Sequence, residues 1–307
     1  MSGAYTHISI VNDARAAAKS VGLRKSTLKA IGLHLHFVEL GCVSPDYPYL
    51  AFDRDQAAWA DAMHYTSTGA FVRAAVKLVS ASEPGVQPKL TAWLMGLAAH
   101  IATDMTIHPV VERKVGPYQG NEAAHRQCEM HQDAYIFPRV VGVGPTNLSE
   151  HMASGIGKCS DIANKERLDS DITRLWTTAL NHAYPTLAGQ TPAEPDSWHK
   201  GFKGVLLVMA KASQLVPFAR HVGTGLGLTY PDEAKVDPQF IKDLVTPEGP
   251  KHFDEIYQRA LSNVLAVWKG LDDALANGGS PELDSLEDWN LDTGRSVSTG
   301  KLVFWGN

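Results

Sequence analysis

One stretch of the sequence, residues 96–136, constrains this chain more than any other, because it repeats metal-ligand side chains at steps of four. These side chains are His100, Asp104 and His108, followed by His125 and Glu129. Residues four apart on an α-helix lie on one face, so each group projects its imidazoles and carboxylates in one direction. The spacing therefore predicts two helices that build a metal site.

The first helix is predicted over Lys89–His108, where apolar residues form a stripe, and Pro109 is expected to end or kink it. The second, from about Asn121 to Phe137, would carry the second group and Asp133 along one line. A single histidine–aspartate pair on a helix is a common accident. Two such helices joined by a short connection favour a metal site, and imidazole with carboxylate suits Zn²⁺.

Composition narrows the class of protein. The net charge of −5 gives no electrostatic attraction to duplex nucleic acid. Three cysteines without a CxxC spacing imply neither a disulfide framework nor a cysteine-zinc site, which favours a reducing compartment. The N-terminus does not resemble a secretory signal, and no run of eighteen apolar residues occurs. We expect a soluble, cytoplasmic protein with no transmembrane segment; the sequence leaves its oligomeric state open.

The helical patterns predict one all-α domain over residues 1–307. Its metal centre would come from residues 1–140, with a helical remainder over 141–276. The polar tail, 277–307, is expected to pack back onto the body through its aromatic side chains. Single helices are predicted at Leu28–Leu40 and at Gln56–Val79.

Asp46 stands between two prolines directly after an apolar helix. Pro45 and Pro48 are expected to hold the backbone extended and to display the carboxylate rigidly. An aspartate in a turn is ordinarily a cap, but one fixed in this way is a candidate metal ligand or general base. His7, near the start of the chain, would by itself be a solvent-exposed side chain.

In order along the chain, several short elements resemble the zinc-dependent phospholipase C family, whose mostly helical fold is shared with single-strand-specific zinc nucleases. The resemblance covers about residues 1–140, and no single motif in it is specific, whereas the ordered set is. The elements are Thr6-His7, Gly41 to Asp46, His64-Tyr65, His100 to Pro109, and His125 to Glu129.

The resemblance implies a cluster of two or three zinc ions. One ion would be held by Asp46, His64, His100 and Asp104, and a second by His108, His125 and Glu129. A third would bind His7 and a bridging Asp104. Secreted members complete this third site with an N-terminal tryptophan, which this chain lacks.

The resemblance implies an enzyme, a metal-dependent phosphoester hydrolase most like a phospholipase C, acting on a phosphodiester of a small molecule or lipid. Metal ions acidify bound water and neutralise charge on the reacting phosphate. Asp46 would orient or deprotonate the attacking water. Asp133 and Tyr65 are the expected hydrogen-bond partners that support the ligands.

Two alternatives remain open. A nuclease or nucleotidase on the same fold would need aromatic side chains for base stacking, which Tyr47, Tyr49 and Trp59 could supply. A metal-stabilised binding protein without catalysis would close every metal position with protein ligands.

Overall fold

Helices dominate the structure, which confirms the all-α prediction. The computed structural model describes residues 3–140, 151–152, 154–211, 231, 233–279, 281–284 and 286–306. Parts of the predicted remainder, 141–150, 153, 212–230 and 232, lie outside the described residues. The α-helices of the described ranges are α1 Ala4–Ala17, α2 Lys25–Leu33, α3 Leu35–Gly41, α4 Arg54–Tyr65, α5 Thr68–Ser80, α6 Gln87–Val115, α7 Glu122–Val140, α8 Ser170–Ala183, α9 Pro185–Gln190, α10 Pro195–Lys211, α11 Phe253–Asn277 and α12 Pro281–Asp284.

The other regular elements are small. Short 3-10 helices lie at Ser44–Ala51, Ile156–Lys158, Glu233–Lys235 and Pro238–Phe240. Two antiparallel hairpins follow, and their strands are β1 Leu244–Thr246 with β2 Gly249–Lys251, and β3 Trp289–Asn290 with β4 Arg295–Ser296.

The long helix α6 runs through the core of the described part. Every residue from Leu90 to Val111 is buried, as expected for a helix that neighbours cover on all sides. Helices α3 and α11 make its most extensive contacts. Pro109 lies inside α6, so of the two predicted outcomes the helix end at His108 is wrong, and a kink at Pro109 stays a prediction. Tertiary packing on all sides outweighs the local cost of one proline.

Two glycines let α3 cross α6 closely. A Cβ atom on Gly41 would lie 2.1 Å from the carbonyl oxygen of Trp93, and one on Gly96 would lie 2.0 Å from that of Val38. Any side chain larger than hydrogen would force the two backbones apart. The crossing brings the carbonyl group of Cys42, next to Gly41, against the middle of α6.

Two of the single helices predicted from apolar spacing are in fact pairs. The predicted Leu28–Leu40 helix breaks at His34, whose φ of −120° and ψ of 36° are not helical. The predicted Gln56–Val79 helix breaks between α4 and α5, where Ser67 has a φ of 51°. Both breaks reorient an apolar face toward a new neighbour, which periodicity alone does not reveal.

The segment around Asp46 is a 3-10 helix, so the prediction of an extended backbone is wrong. Pro45 occupies its first turn and Pro48 lies within it. The φ angle that proline fixes suits the start of a helical turn as well as an extended chain. His7 also differs from expectation, because only 1% of its surface is exposed.

The tail contacts the body. Trp305 is 2% exposed and its indole nitrogen donates to the carbonyl oxygen of Thr106 at 2.8 Å. Within the described ranges, no helix has both the length and the apolar composition needed to cross a membrane. The cytoplasmic location stays a prediction.

Candidate metal centre

Helix α6 supplies the middle of the site. His100, Asp104 and His108 occupy successive turns of one face and are at most 1% exposed. The Nε2 atom of His100 lies 3.1 Å from Asp104 Oδ2, and that of His108 lies 3.3 Å from Asp104 Oδ1. The predicted steps of four therefore bring both imidazoles onto one carboxylate.

Two neighbouring helices add imidazoles to the same carboxylate. From α1, His7 Nε2 lies 3.1 Å from Asp104 Oδ1, and its ring stacks on that of His100 with centroids 4.2 Å apart. From α4, His64 Nε2 lies 3.8 Å from Asp104 Oδ2 and 3.3 Å from Asp46 Oδ1. Four imidazoles from three helices thus converge on Asp104 or on the Asp46 carboxylate beside it.

The outer nitrogen of three of these imidazoles is held by the backbone. His64 Nδ1 donates to the carbonyl oxygen of Ala60 at 2.7 Å, and His100 Nδ1 donates to that of Cys42 at 2.9 Å. His108 Nδ1 donates to the carbonyl oxygen of Leu291 at 2.8 Å. A carbonyl oxygen only accepts, so each Nδ1 carries a hydrogen and each ring directs its Nε2 atom inward.

Among the described residues, the inner nitrogens have no hydrogen-bond partner. His64, His100 and His108 each leave Nε2 unpaired in a buried site, and His7 leaves both ring nitrogens unpaired. Buried polar atoms in native proteins are nearly always satisfied. Nε2 atoms that face carboxylate oxygens across 3.1–3.8 Å need a proton or a metal ion between them. The residues present therefore fit a metal ion.

The pKa values of His108, His7 and Asp104 are those that metal ligands need. Burial lowers the pKa of His108 to about 3, so its imidazole is neutral at pH 7. Burial likewise lowers the pKa of His7. Although burial acts to raise it, the pKa of Asp104 lies well below its usual range because His108, His100 and His7 surround it. Although burial acts to lower it, the pKa of His100 is raised by Asp104, so a metal would displace a proton there. Imidazoles around an anionic carboxylate are a donor set for zinc.

Two compact groups of three ligand atoms result, each with all its atoms within 4.8 Å of one another. One is His7, His100 and Asp104, and the other is Asp46, His64 and His100. Among the described residues no such group contains His108, His125 and Glu129.

The α7 side is arranged differently. His125, 3% exposed, turns its Nε2 atom to the carbonyl oxygen of Gly116 at 2.7 Å, which leaves Nδ1 as the atom for a metal. Burial raises the pKa of Glu129 to about 8. A carboxyl group with this pKa is mostly protonated at pH 7, so a metal that binds it would displace a proton.

A comparison with protein families finds that residues 6–185 match the family described as zinc dependent phospholipase C. This chain belongs to that family. The match contains the eight side chains of the predicted ligand set, and membership indicates a zinc-dependent hydrolase. Comparisons with curated proteins and with solved structures find no match.

The two residues expected to support the ligands, Asp133 and Tyr65, make the following contacts. Asp133 accepts hydrogen bonds from the backbone nitrogen of Thr6 at 2.8 Å and from its hydroxyl at 2.6 Å. It therefore anchors the first turn of α1, which carries His7. Tyr65 donates to Asp292 Oδ2 at 2.7 Å. Support of His125 by Asp133 stays a prediction.

Sequence reasoning missed Leu291 and Asp292, which lie beyond the family match. The carbonyl oxygen of Leu291 holds His108, and Asp292 Oδ1 lies 3.9 Å from His108 Nδ1. These residues are more than 180 positions from His108, and a backbone carbonyl has no sequence signature. Only the expectation that the tail packs back pointed toward them.

A cavity of about 750 Å³ adjoins the ligands. Tyr65 follows His64, Asp292 approaches His108, and the ring of Tyr118 lies 5.3 Å from that of His125. Of the described residues that line the cavity, none is lysine or arginine. Its acidic and tyrosine residues are Asp61, Glu112, Glu122, Asp292, Tyr49, Tyr65 and Tyr118.

Proposed function

We propose that this protein hydrolyses a phosphodiester of a small molecule or lipid through a zinc cluster, as a phospholipase C does. One observation carries the proposal: imidazole nitrogens with no hydrogen-bond partner converge, fully buried, on Asp104 and Asp46. An ordinary core would satisfy these atoms with donors or water.

The proposed ligand sets are those that the family resemblance implies. Asp46, His64, His100 and Asp104 would hold one ion. A second would use His108, His125 and Glu129. A third would use His7 with Asp104 as the bridge. When bound, zinc would acidify water and neutralise charge on the reacting phosphate.

Asp46 is the residue we propose to orient the attacking water. Although burial acts to raise its pKa, the pKa lies below its usual range because of His64 and His100, so the carboxylate is ionised at pH 7. An ionised carboxylate accepts a hydrogen bond from water and fixes its direction. A low pKa makes it better suited to orienting water than to storing its proton.

A buried chain of hydrogen bonds fixes the 3-10 helix that carries Asp46. Ser160 donates to the carbonyl oxygen of Gly157 at 3.1 Å, so His199 Nε2, 2.9 Å away, donates to Ser160. His199 Nδ1 then accepts from the hydroxyl of Tyr47 at 2.7 Å. Tyr47 follows Asp46 in the 3-10 helix, and the chain fixes that helix against α10.

The nuclease alternative loses support. Tyr47 and Trp59 are 0% exposed and cannot stack on bases, which leaves Tyr49 of the three aromatic residues considered. The cavity beside the ligands also carries carboxylates without a lysine or arginine among its described lining, and would repel a polynucleotide.

The test measures zinc content and hydrolysis together. Zinc-loaded parent and Asp46→Asn are assayed on a short-chain phospholipid, a chromogenic phosphodiester and a single-stranded oligonucleotide. We expect the parent to hydrolyse at least one of the first two. Asp46→Asn should retain most zinc and its fold while activity falls by about two to four orders of magnitude.

Asp55→Asn is the matched control, since it makes the same exchange at an exposed position of α4 and should keep parental activity. Equal activity of Asp46→Asn and parent would remove Asp46 from the mechanism. Zinc-loaded parent that hydrolyses none of the three substrates would support the binding-protein alternative.

A further inference from the structure

The 289–296 hairpin, formed by β3, β4 and the turn between them, lies beyond the family match and contacts two ligand helices. The backbone nitrogen of Leu291 donates to the carbonyl oxygen of His64 at 2.8 Å. The carbonyl oxygen of the same residue accepts from His108 Nδ1 at 2.8 Å. A single residue therefore binds the backbone of His64 and the imidazole of His108, one ligand residue from each of the two principal proposed zinc sites.

The turn also presents Asp292. The side-chain oxygen of Asn290 accepts from the backbone nitrogens of Asp292 and Thr293 at 3.0 and 3.1 Å, which fixes the turn. Asp292 then places one oxygen on the Tyr65 hydroxyl at 2.7 Å and the other 3.9 Å from His108 Nδ1. A carboxylate on the outer side of a ligating imidazole increases its strength as a donor to the metal.

Gly294 seats the hairpin on α6. It has a φ of 66°, and a Cβ atom there would lie 2.3 Å from Pro109 Cγ and 2.6 Å from the carbonyl oxygen of Met105. Pro109 follows His108, so the contact is made next to a proposed zinc ligand. A methyl group on Gly294 would lift the turn that holds His108.

We propose that the 289–296 hairpin sets the zinc affinity of the cluster. Leu291 and Asp292 act as positioning residues on His64 and His108, and Gly294 keeps both in register with α6. The inference rests on the proposed zinc cluster and extends it to a part of the chain outside the family match.

Two glycine variants separate positioning from ordinary backbone strain. Gly300 has a φ of 67°, nearly that of Gly294, but a Cβ atom there would meet nothing within 4 Å. Gly294→Ala and Gly300→Ala therefore share the left-handed penalty, and only the first has a clash with α6. Zinc affinity is measured by competition with a chelator of known affinity.

We expect Gly294→Ala to bind zinc about 10- to 100-fold more weakly than parent, the range typical for residues that orient a metal ligand. Gly300→Ala should stay within about twofold of parent, since it leaves the ligand contacts in place. Asp292→Asn keeps the volume of the side chain and should weaken zinc binding by about tenfold. If Gly294→Ala does not fold, the zinc affinity of Asp292→Asn tests the proposal instead.

The readout is zinc binding and not hydrolysis, so the two proposals fail separately. Parent protein that binds zinc, with Gly294→Ala and Asp292→Asn both equal to Gly300→Ala, would overturn the role of the hairpin alone. Parent that binds no zinc would overturn the cluster and the hairpin inference together.

Discussion

The α6 and α7 sides of the centre differ in how far they are formed without a metal. On the α6 side, His64, His100 and His108 have their outer nitrogens fixed by carbonyl groups and their inner nitrogens directed at carboxylates. On the α7 side, His125 turns Nε2 to a carbonyl group, and Glu129 has its pKa raised to about 8 by burial.

The two sides of the centre therefore differ in their charge when no metal is bound. The α6 side carries an ionised carboxylate whose charge needs cationic partners, so it is destabilised when the metal is absent. The α7 side holds a carboxyl group that becomes neutral instead. The α6 side therefore presents its inner nitrogens in a fixed arrangement, whereas a metal bound at the α7 side would displace a proton from Glu129.

Asp104→Asn should have the largest effect on this contrast. It removes the charge on which four imidazoles converge, so we expect loss of at least one zinc ion. The free energy of unfolding in zinc-saturated buffer should fall by about 3–5 kcal/mol, as when a buried charge pair is broken. Urea unfolding and metal analysis measure the two quantities.

Asp272→Asn is the control for burial alone. Asp272 is 0% exposed and accepts from the backbone nitrogen of Arg24 at 2.8 Å. This variant should lose stability and retain all its zinc. Full zinc content in Asp104→Asn would contradict the central place given to Asp104.

The support behind Asp46 should appear as a pH dependence. Burial lowers the pKa of His199 from 6.5 to about 4. Between these values the unfolded chain binds a proton that the folded protein does not, so this contribution to stability is lost as pH falls from 6.5 to 4. His199→Gln cannot titrate, so its stability relative to parent should rise by about 3 kcal/mol over that interval.

Urea unfolding of both proteins at several pH values measures this difference. Above pH 6.5 the two curves should run parallel. A constant difference from pH 7 to pH 4 would mean that His199 is protonated in the folded protein and that the assigned hydrogen-bond directions are wrong.

The smallest effect is expected for Glu129→Gln in chelator. At pH 7 a carboxyl group with a pKa of about 8 is neutral, and glutamine resembles it in volume and charge. The free energy of unfolding of metal-free protein should change by less than about 1.5 kcal/mol. In zinc, the same variant should bind one ion fewer than parent. If Glu129→Gln in chelator lost as much free energy of unfolding as Asp104→Asn, Glu129 would be ionised in the metal-free protein, as Asp104 is.

Sequence predicted the parts of this site that depend on local spacing. The steps of four place His100, Asp104 and His108 on one face of α6, and the all-α architecture follows from apolar periodicity. The breaks at His34 and Ser67 were missed because an apolar stripe continues across them. The prolines on either side of Asp46, at positions 45 and 48, fix φ but leave ψ free. Their presence is therefore compatible with an extended backbone and with a 3-10 helix.

The contacts that complete the site could not be predicted. Cys42 and Leu291 act through backbone carbonyl groups, which every residue possesses. Their positions depend on the Gly41–Gly96 crossing and on the seat of Gly294 against α6. Such contacts follow from tertiary packing, which no local pattern in the sequence encodes.

Anomalous X-ray diffraction at the zinc edge tests the central claim most directly. In crystals of zinc-replete protein, we predict an anomalous peak about 2.0–2.2 Å from ligand atoms of Asp46, His64, His100 and Asp104. Zinc-replete crystals with no anomalous peak among these four side chains would contradict the account.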